Sequence, residues 1–363
     1  MIEKVLKQEE RISLALRSLY KTYGYQPYKM SKFEEYDLYV ANKEFLVGDG
    51  VITFNDTDGK LLALKPDVTL SIIRNSADKA GKRKVYYDEN VYRVSAKTKQ
   101  FKEIRQVGLE CIGAIDLYDE YETLTLAAGS LAAISENFVL DVSHLGVLSA
   151  VLDSVCTDKA FQRAAMGYLA EKNVHETEHL CDQFGVGADG KKTLLTLFTA
   201  YGEMNAVLDK IAPVCKGKAK AAYKKLQSLC KLLSSSNYAD KIRLDFSVVN
   251  DMNYYSDVVF KGFIDGVAEG VLSGGRYDKM MARLGRNAGA IGFAVYLDLL
   301  DGFNEEKSAT DVDVAVLYDA KTSLSQLTKT VEKLVKKGCS VSTQTAEGVV
   351  RAKETVDLRG CKR

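Results

Sequence analysis

The sequence predicts an α+β protein in which an antiparallel sheet flanked by helices is interrupted by a helical insertion and followed by a short α/β module. Strand-like segments lie before residue 145 and again after residue 241, and the block between them has helical periodicity. Strands and helices do not alternate as they would in consecutive βαβ units. With 363 residues the chain is long enough for two or three domains.

The first part of the main domain is expected at residues 1–144. Its opening helix has apolar residues at helical spacing followed by a helix-ending glycine: Ile12, Leu16, Leu19, Tyr23 and Gly24. Two strands joined by a polar turn predict an antiparallel hairpin at residues 50–64. Further strands are expected at 84–92 and 106–112, and a second helix at 117–134.

The insertion is expected at residues 145–236, where nearly every segment has helical periodicity and no strand is predicted. The main domain then resumes over 237–302. Its elements are expected to be strands at 242–249 and 258–264, a glycine-rich turn at 270–277 and a helix at 277–284. After a linker, residues 311–363 predict a short module with a strand at 312–318, a helix at 323–336 and a strand at 339–342.

Composition excludes several classes of function. The 50 basic and 49 acidic side chains leave a net charge of +1, which provides no overall attraction for nucleic acid. The seven cysteines form no Cys-x-x-Cys pair, so they are expected to be reduced thiols and not zinc ligands. Apolar runs of about 18 residues are absent from the sequence, so we expect a cytoplasmic protein without a membrane segment. No cofactor and no metal are expected.

Several sequence motifs indicate the class of protein more specifically than composition does. They are Lys65-Pro66-Asp67-Val68-Thr69, Val91-Tyr92-Arg93 with the segment from Phe101 to Glu110, the pair Tyr254-Tyr255, and Ser273-Gly274-Gly275-Arg276-Tyr277-Asp278. Their order and spacing resemble those of class II histidyl-tRNA synthetases over most of residues 1–300. The resemblance implies a class II aminoacyl-tRNA synthetase-like fold.

The resemblance also implies a role for each residue of a histidine site. Asp67 and Thr69 would hold the α-amino group. Gln106 and Glu110 would contact the amino acid, with Tyr254 and Tyr255 flanking its imidazole. The remaining implied site residues are Arg93, facing a phosphate or carboxylate, and Ser273 and Gly274, contributing pocket backbone.

The chain departs from the synthetase pattern on the nucleotide side. Asn250 stands where the synthetase has an arginine facing the α-phosphate, and Asn253 replaces an aspartate. A further segment, Ala290 to Leu300, resembles the third class II motif, but there Leu299 replaces the class-defining arginine and Tyr296 replaces a glycine. Fixed cations on a transferring phosphate are usually a large catalytic contribution, so adenylate formation is not expected and no catalytic residue is assigned.

The sequence retains the residues that contact the amino acid in the synthetases but lacks those that contact the nucleotide. In this respect it resembles the regulatory subunits of ATP phosphoribosyltransferase, a family of synthetase paralogues. Asp67 in the Lys-Pro-Asp-x-Thr motif agrees with that family. The resemblance implies a role in histidine biosynthesis, with histidine as ligand, and a homodimer within a hetero-octamer that contains the short-form catalytic subunit. Two alternatives remain: a divergent histidyl-tRNA synthetase, and a free-standing module that binds histidine or tRNA. The short C-terminal module makes tRNA an unfavoured partner.

Simpler interpretations stay open for each residue. Tyr254 and Tyr255 are also consistent with core aromatics, and Asp67 with a turn or capping residue. Gln106 and Glu110 share one strand face, which is either pocket or solvent. Arg93 is also consistent with a structural ion pair, and Gly274 with a tight turn.

Three further patterns are interpreted as structural. His175-Glu176-Thr177-Glu178-His179 matches a zinc-protease motif, but its polar context favours a solvated helix. The glycines of residues 185–190 lack the preceding buried strand of a dinucleotide fingerprint and predict an interhelical loop. A run of basic residues predicts a solvated helix face or, alternatively, a docking surface: Lys216, Lys218, Lys220, Lys224, Lys225 and Lys231.

Overall fold

The computed structural model describes residues 6–41, 50–76, 81–95, 98–249, 254–303 and 309–360. Asn250 and Asn253, on which part of the sequence argument depends, lie outside these ranges. The described residues of 9–303 form one compact unit. The described residues of 304–363, with residues 6–8, belong to a second unit.

The described helices follow amphipathic segments of the sequence. In chain order they are α1 (Gln8–Thr22), α2 (Tyr36–Val40), α3 (Thr69–Arg74), α4 (Leu117–Ala132), α5 (Leu145–Val155), α6 (Lys159–Ala170), α7 (Val174–Gln183), α8 (Ala188–Phe198), α9 (Met204–Ile211), α10 (Ala219–Leu233), α11 (Asp278–Arg283) and α12 (Leu324–Lys336). Asp116 caps α4 through a capping box with Asp119, which accounts for the start of that helix.

The described strands belong to three sheets. They are β1 (Gln26–Pro27), β2 (Phe33–Glu35), β3 (Thr53–Asn55), β4 (Leu61–Leu64), β5 (Arg83–Val94), β6 (Phe101–Gly113), β7 (Phe138–His144), β8 (Tyr201–Glu203), β9 (Ile242–Asp245), β10 (Val258–Ile264), β11 (Leu272–Arg276), β12 (Gly289–Tyr296), β13 (Val312–Leu317), β14 (Val341–Gln344) and β15 (Ala352–Asp357). The predicted hairpin is present, because β3 pairs antiparallel with β4.

The main sheet has nine strands in the order β1-β5-β6-β12-β11-β10-β7-β9-β8. Helix α4 packs on β7, β10, β11 and β12, and α11 packs on β12. The predicted α+β class with a sheet flanked by helices is therefore confirmed. The sheet is mixed and not wholly antiparallel, because β1 pairs parallel with β5 and β7 pairs parallel with β9. The long helical connection between β7 and β9 allows that second parallel pairing.

One detail of the insertion and one detail of the strand that follows it were predicted wrongly. A short strand, β8, lies inside the block that was expected to be wholly helical, and it pairs with β9. The strand expected at 242–249 ends at Asp245. There the Asp245 side chain accepts a hydrogen bond from the Ser247 amide at 2.9 Å, and its carbonyl accepts one from the Val248 amide at 3.2 Å. These turn hydrogen bonds replace the strand ladder.

The two faces of the main sheet carry separate cores, and this separation positions the site. On β6, Val107, Leu109 and Cys111 join the large core that includes α4 and the insertion. The opposite face carries a smaller core containing Tyr87, residues of α3 and residues of α11. Because side chains alternate along a strand, Gln106, Gly108 and Glu110 lie on the smaller-core face.

The C-terminal unit has a parallel three-stranded sheet in the order β14-β13-β15. Val314, Val316 and Leu358 form its small core, against which residues of α12 pack. The strand β15 was not predicted, because its residues are mostly exposed and polar. Within the described part of the chain, none of the helices is both long and apolar enough to span a bilayer.

Candidate amino-acid-binding site

The centre of the main sheet presents a row of small residues next to a carboxylate. Glu110 on β6 lies opposite Gly292 on β12, which lies opposite Gly275 on β11. A Cβ atom at Gly292 would lie 1.8 Å from Oε2 of Glu110 and 2.4 Å from the Leu109 carbonyl oxygen. The glycine therefore makes room for the Glu110 side chain above the sheet.

Glu110 is the most enclosed acid of the predicted site, with 2% of the residue exposed. Thr69 Oγ1 donates a hydrogen bond to its Oε1 at 2.7 Å, and the Tyr277 hydroxyl donates one to its Oε2. Burial raises the pKa of Glu110 to about 8, although both donors act to lower it. A cationic ligand group placed here would favour the ionised carboxylate.

Asp67 lies just before α3, and its geometry fits both a ligand contact and a capping residue. Its Oδ1 accepts a hydrogen bond from the Leu70 amide at 2.8 Å, as a capping residue would. Burial raises the pKa of Asp67, and the nearby Arg93 guanidinium acts in the opposite direction. Arg93 is oriented by a hydrogen bond from its Nε to the Pro66 carbonyl at 2.8 Å. Arg93 thus makes a backbone contact and remains beside Asp67.

The tyrosines form a continuous aromatic wall over the row of small residues. The rings of Tyr254 and Tyr255 have centroids 4.6 Å apart, and those of Tyr254 and Tyr277 are 5.6 Å apart. Tyr255 covers Gly275, where an added Cβ would lie 2.6 Å from its ring. Burial raises the pKa of all three hydroxyls well above the usual value, so they remain protonated. The Tyr254 hydroxyl interacts with Thr69, which places the wall beside the buried carboxylate.

Gln106 and Ser273 face the same side of the sheet as Glu110. Gln106 is 4% exposed, which excludes the solvent-facing interpretation, and it lies opposite Tyr296. The Ser273 hydroxyl interacts with the side chains of Tyr255 and Tyr296. Gly274 points to the other face, where an added Cβ would lie 2.4 Å from Cβ of Phe293. The expectation that Gly274 contributes pocket backbone stays a prediction.

An apolar side chain follows the end of β12, where the resemblance to synthetases implies a contact with the nucleotide. Leu299 lies in a 3-10 turn, Leu297–Leu300, and packs against the large core. An alkyl group can neither donate a hydrogen bond to a phosphate nor neutralise its charge. Tyr296, at the end of the same strand, lies near Arg93 and Asp67.

Sequence reasoning did not assign Tyr277 and Tyr87 to the site. Tyr277 belongs to the glycine-rich motif, so the resemblance could have drawn attention to it. Tyr87 lies opposite Gly108, where an added Cβ would be 2.5 Å from the tyrosine oxygen. Only the register between β5 and β6 reveals that contact.

The pattern His175–His179 produces two adjacent imidazoles on an exposed helix face, with their Nε2 atoms 3.1 Å apart. Within the described ranges, no group of three or more His, Cys, Asp or Glu side chains could hold a metal ion. Gly185 and Gly187 lie in the loop between α7 and α8, whereas Gly190 lies within α8, which begins at Ala188, so the loop is shorter than predicted. Neither pattern has the structural context of the motif it matches.

The fold and the site define a class II synthetase-like protein with a buried cluster of polar groups on one face of its sheet. Residues 1–300 match the histidyl-tRNA synthetase family model. The chain therefore belongs to the histidyl-tRNA synthetase family.

Comparison with individual proteins gives a more specific result than the family model does. The ATP phosphoribosyltransferase regulatory subunit of Moorella thermoacetica is 26% identical over 354 residues, covering 96% of this chain and 90% of that protein. A Bacillus halodurans structure, described as an ATP phosphoribosyltransferase regulatory subunit/histidyl-tRNA synthetase, superposes with a TM-score of 0.81 at 23% identity, covering 97% of this chain and 94% of the other. A chain of the Thermotoga maritima ATP phosphoribosyltransferase (HisG:HisZ) complex has a TM-score of 0.63 at 17% identity, covering 79% and 96%.

Proposed function

We propose that this chain is a non-catalytic regulatory subunit of ATP phosphoribosyltransferase that binds histidine and acts on a short-form catalytic subunit in histidine biosynthesis. The observation that carries the proposal is a contrast within one site. Its amino-acid side is an enclosed cluster of hydrogen-bonded polar groups, whereas Leu299 on its nucleotide side packs against apolar core. The names of its relatives supply the identity of the enzyme.

Histidine fits the chemistry of the site. Asp67 and Glu110 provide carboxylates for an ammonium group, and Thr69 and Gln106 provide neutral hydrogen-bonding groups. The wall of Tyr254, Tyr255 and Tyr277 provides flat apolar surface with protonated hydroxyls for an imidazole. A site of this kind prefers histidine to leucine, because leucine would leave its buried polar groups without partners.

The assembly proposed is a homodimer of this chain within a hetero-octamer that also contains the catalytic subunit. Support comes from the HisG:HisZ complex, whose matched chain shares this fold. Co-expression with a short-form catalytic subunit, followed by size-exclusion chromatography with light scattering, tests this directly. We expect co-elution and raised phosphoribosyltransferase activity; separate elution of the two chains would contradict the proposal.

A divergent histidyl-tRNA synthetase is the competing function, since the chain belongs to that family. Exchange of label between pyrophosphate and ATP in the presence of histidine discriminates the two. We expect no exchange, because Leu299 and Asn250 supply no cation to the phosphates. Exchange at the rate of an active synthetase would show that the enzyme interpretation is correct. A free-standing binding module, the third possibility, predicts histidine binding without capture of the catalytic subunit.

Histidine binding at this site is tested by calorimetry with Asp67→Ala and Asp67→Asn. Both changes remove a charge near the expected ammonium and should weaken histidine binding by roughly ten- to a hundred-fold. Asn keeps an oxygen that can accept the Leu70 amide, so Asp67→Asn controls for loss of the cap. Unchanged affinity in both variants would remove Asp67 from the binding site. Assembly with the catalytic subunit should be retained.

A further inference from the structure

A network of ion pairs around a buried carboxylate joins the helical insertion to the chain segments that carry the tyrosine wall. We call it the Glu120 network; its members are Glu120 on α4, Lys225 on α10, Asp257 before β10 and Arg276 at the end of β11. Lys225 is its one member from the insertion. The other members come from the synthetase-like parts of the chain.

Glu120 is the centre of the network and is fully buried, at 0% exposure. Its Oε1 accepts from the Arg276 guanidinium at 2.7 Å and lies 3.2 Å from Lys225 Nζ. Its Oε2 has no hydrogen-bond partner among the described residues. A buried carboxylate needs nearby cations to offset its desolvation, so the positions of Arg276 and Lys225 are coupled to it.

Lys225 differs from the rest of the basic run on α10. Its Nζ lies 2.7 Å from Oδ2 of Asp257, in addition to its contact with Glu120. The preceding residue, Lys224, is exposed. Successive residues on a helix point about 100° apart, which explains how one lysine faces solvent and the next faces the network. The interpretation of the whole run as a solvated face is therefore wrong for Lys225.

Both ends of the network lie next to residues of the tyrosine wall. Asp257 follows Tyr255 by two residues, and Arg276 immediately precedes Tyr277, whose hydroxyl donates to Glu110. The Ser256 amide donates to the Arg276 carbonyl at 2.8 Å, so the two segments are also joined through backbone. Arg276 holds Asp278 as well, and Asp278 accepts from the Ala290 amide at 3.0 Å. A shift of Asp257 or Arg276 therefore moves the residues that carry the tyrosine rings.

We infer that Lys225 is a positioning residue through which the helical insertion sets the geometry of Tyr255 and Tyr277, and thereby the affinity of the amino-acid site. A partner that displaces α10 would then change ligand affinity, and bound ligand would change the affinity for that partner by the same factor. This inference rests on the proposed histidine-binding function.

The test compares Lys225→Met with Lys225→Arg in the full-length protein, with Lys224→Met as matched control on the same helix. Calorimetry with L-histidine measures affinity. We expect Lys225→Met to weaken binding roughly ten-fold, within the range of couplings between linked sites. Lys225→Arg should recover most of the affinity because it keeps the cation, and Lys224→Met should bind like the parent protein.

A purely structural ion pair predicts a different result. In that case Lys225→Met lowers the thermal unfolding midpoint while the folded protein binds histidine with unchanged affinity, and the inference is overturned. Failure of Lys225→Arg to restore binding would also overturn it. If Lys225→Met does not fold, Lys225→Gln takes its place, since the amide keeps a hydrogen-bond donor towards Glu120.

Hydrogen exchange without ligand separates failure of this inference from failure of the proposed function. Peptides covering residues 254–262 and 272–281 should exchange faster in Lys225→Met than in Lys224→Met. If the parent protein binds no histidine, the proposed function fails, and faster exchange still supports positioning of the tyrosine segments by Lys225. Unchanged exchange in both peptides would refute the positioning role whether or not histidine binds.

Discussion

The middle of strand β12 differs from its C-terminal end in what it accommodates. At the middle, Gly292 lies under Glu110, and no side chain fits there without displacing the carboxylate. At the C-terminal end, Tyr296 lies on the same face of the sheet and Leu299 follows in a turn that packs on the core. The resemblance to synthetases holds at the middle and breaks at the C-terminal end.

This difference fits the proposal that a synthetase fold keeps ligand recognition without nucleotide chemistry. In that proposal, recognition depends on the steric match between Gly292 and the buried, hydrogen-bonded Glu110. Phosphate binding at the C-terminal end of β12 would depend on cations, which can be replaced by an apolar side chain without disturbing the sheet. The amino-acid side should therefore be sensitive to single substitutions, and the nucleotide side tolerant of them.

The largest effect is expected for Gly292→Ala, which tests the steric match. The added methyl would meet Glu110 Oε2 and the Leu109 carbonyl, so either the acid or the strand must shift. We expect a loss of about 3 kcal/mol in unfolding free energy and loss of histidine binding. Chemical denaturation and calorimetry measure the two effects.

Gly167→Ala is the matched control for Gly292→Ala. Gly167 lies in α6 with no atom within 4 Å of an added Cβ among those considered. Alanine is favoured over glycine in a helix, so this variant should gain roughly 0.5–1 kcal/mol of stability and bind histidine normally. Equal stability of the two variants would contradict the steric interpretation of Gly292.

An intermediate effect is expected from the proton on Glu110. Its pKa is raised to about 8, so the carboxyl is largely protonated at neutral pH. The ammonium group of a histidine bound beside it would favour ionisation and release a proton. Calorimetry in buffers of different ionisation enthalpy should show release approaching one proton per site at pH 7, and Glu110→Gln should show none. If proton release persists in Glu110→Gln, the proton comes from another group.

The raised pKa of Glu110 also predicts how the stability of the ligand-free protein depends on pH. Because the folded-state pKa of Glu110 is raised from 4.5 to about 8, the folded state holds a proton that the unfolded chain loses at lower pH. The contribution of Glu110 to stability is therefore fully present below about pH 4.5 and is lost as pH rises towards 8. In Glu110→Gln, denaturation midpoints should fall less steeply across this interval.

The smallest effect is expected at the tolerant end of β12, with Leu299→Arg. The partly buried leucine would be replaced by a side chain long enough to reach solvent, so a loss of roughly 1 kcal/mol is expected. Neither Leu299→Arg nor Asn250→Arg alone should produce pyrophosphate exchange, because each leaves the other cation missing. Exchange activity in either single variant would show that the nucleotide side needs less reconstruction than we infer.

The sequence by itself determined the elements that depend on local pattern. Residues 258–264 are a short, mostly apolar run followed by Asp265-Gly266, and the strand has those bounds. Alternation on β6 placed Gln106 and Glu110 on one face, and the motif around Thr69 placed a hydroxyl that contacts Glu110. Periodicity and motif spacing act over a few residues, so they can be read without knowing the fold.

The tertiary structure alone decided which distant residues share an environment. Gly292 meets Glu110 through the register of β12 on β6, and Tyr277 reaches the same carboxylate from the end of β11. Lys225 belongs to a lysine-rich run by sequence, yet it faces a buried acid more than a hundred residues away. Strand register and helix rotation fix such contacts, and both depend on how the whole sheet and its helices pack, which no local pattern encodes.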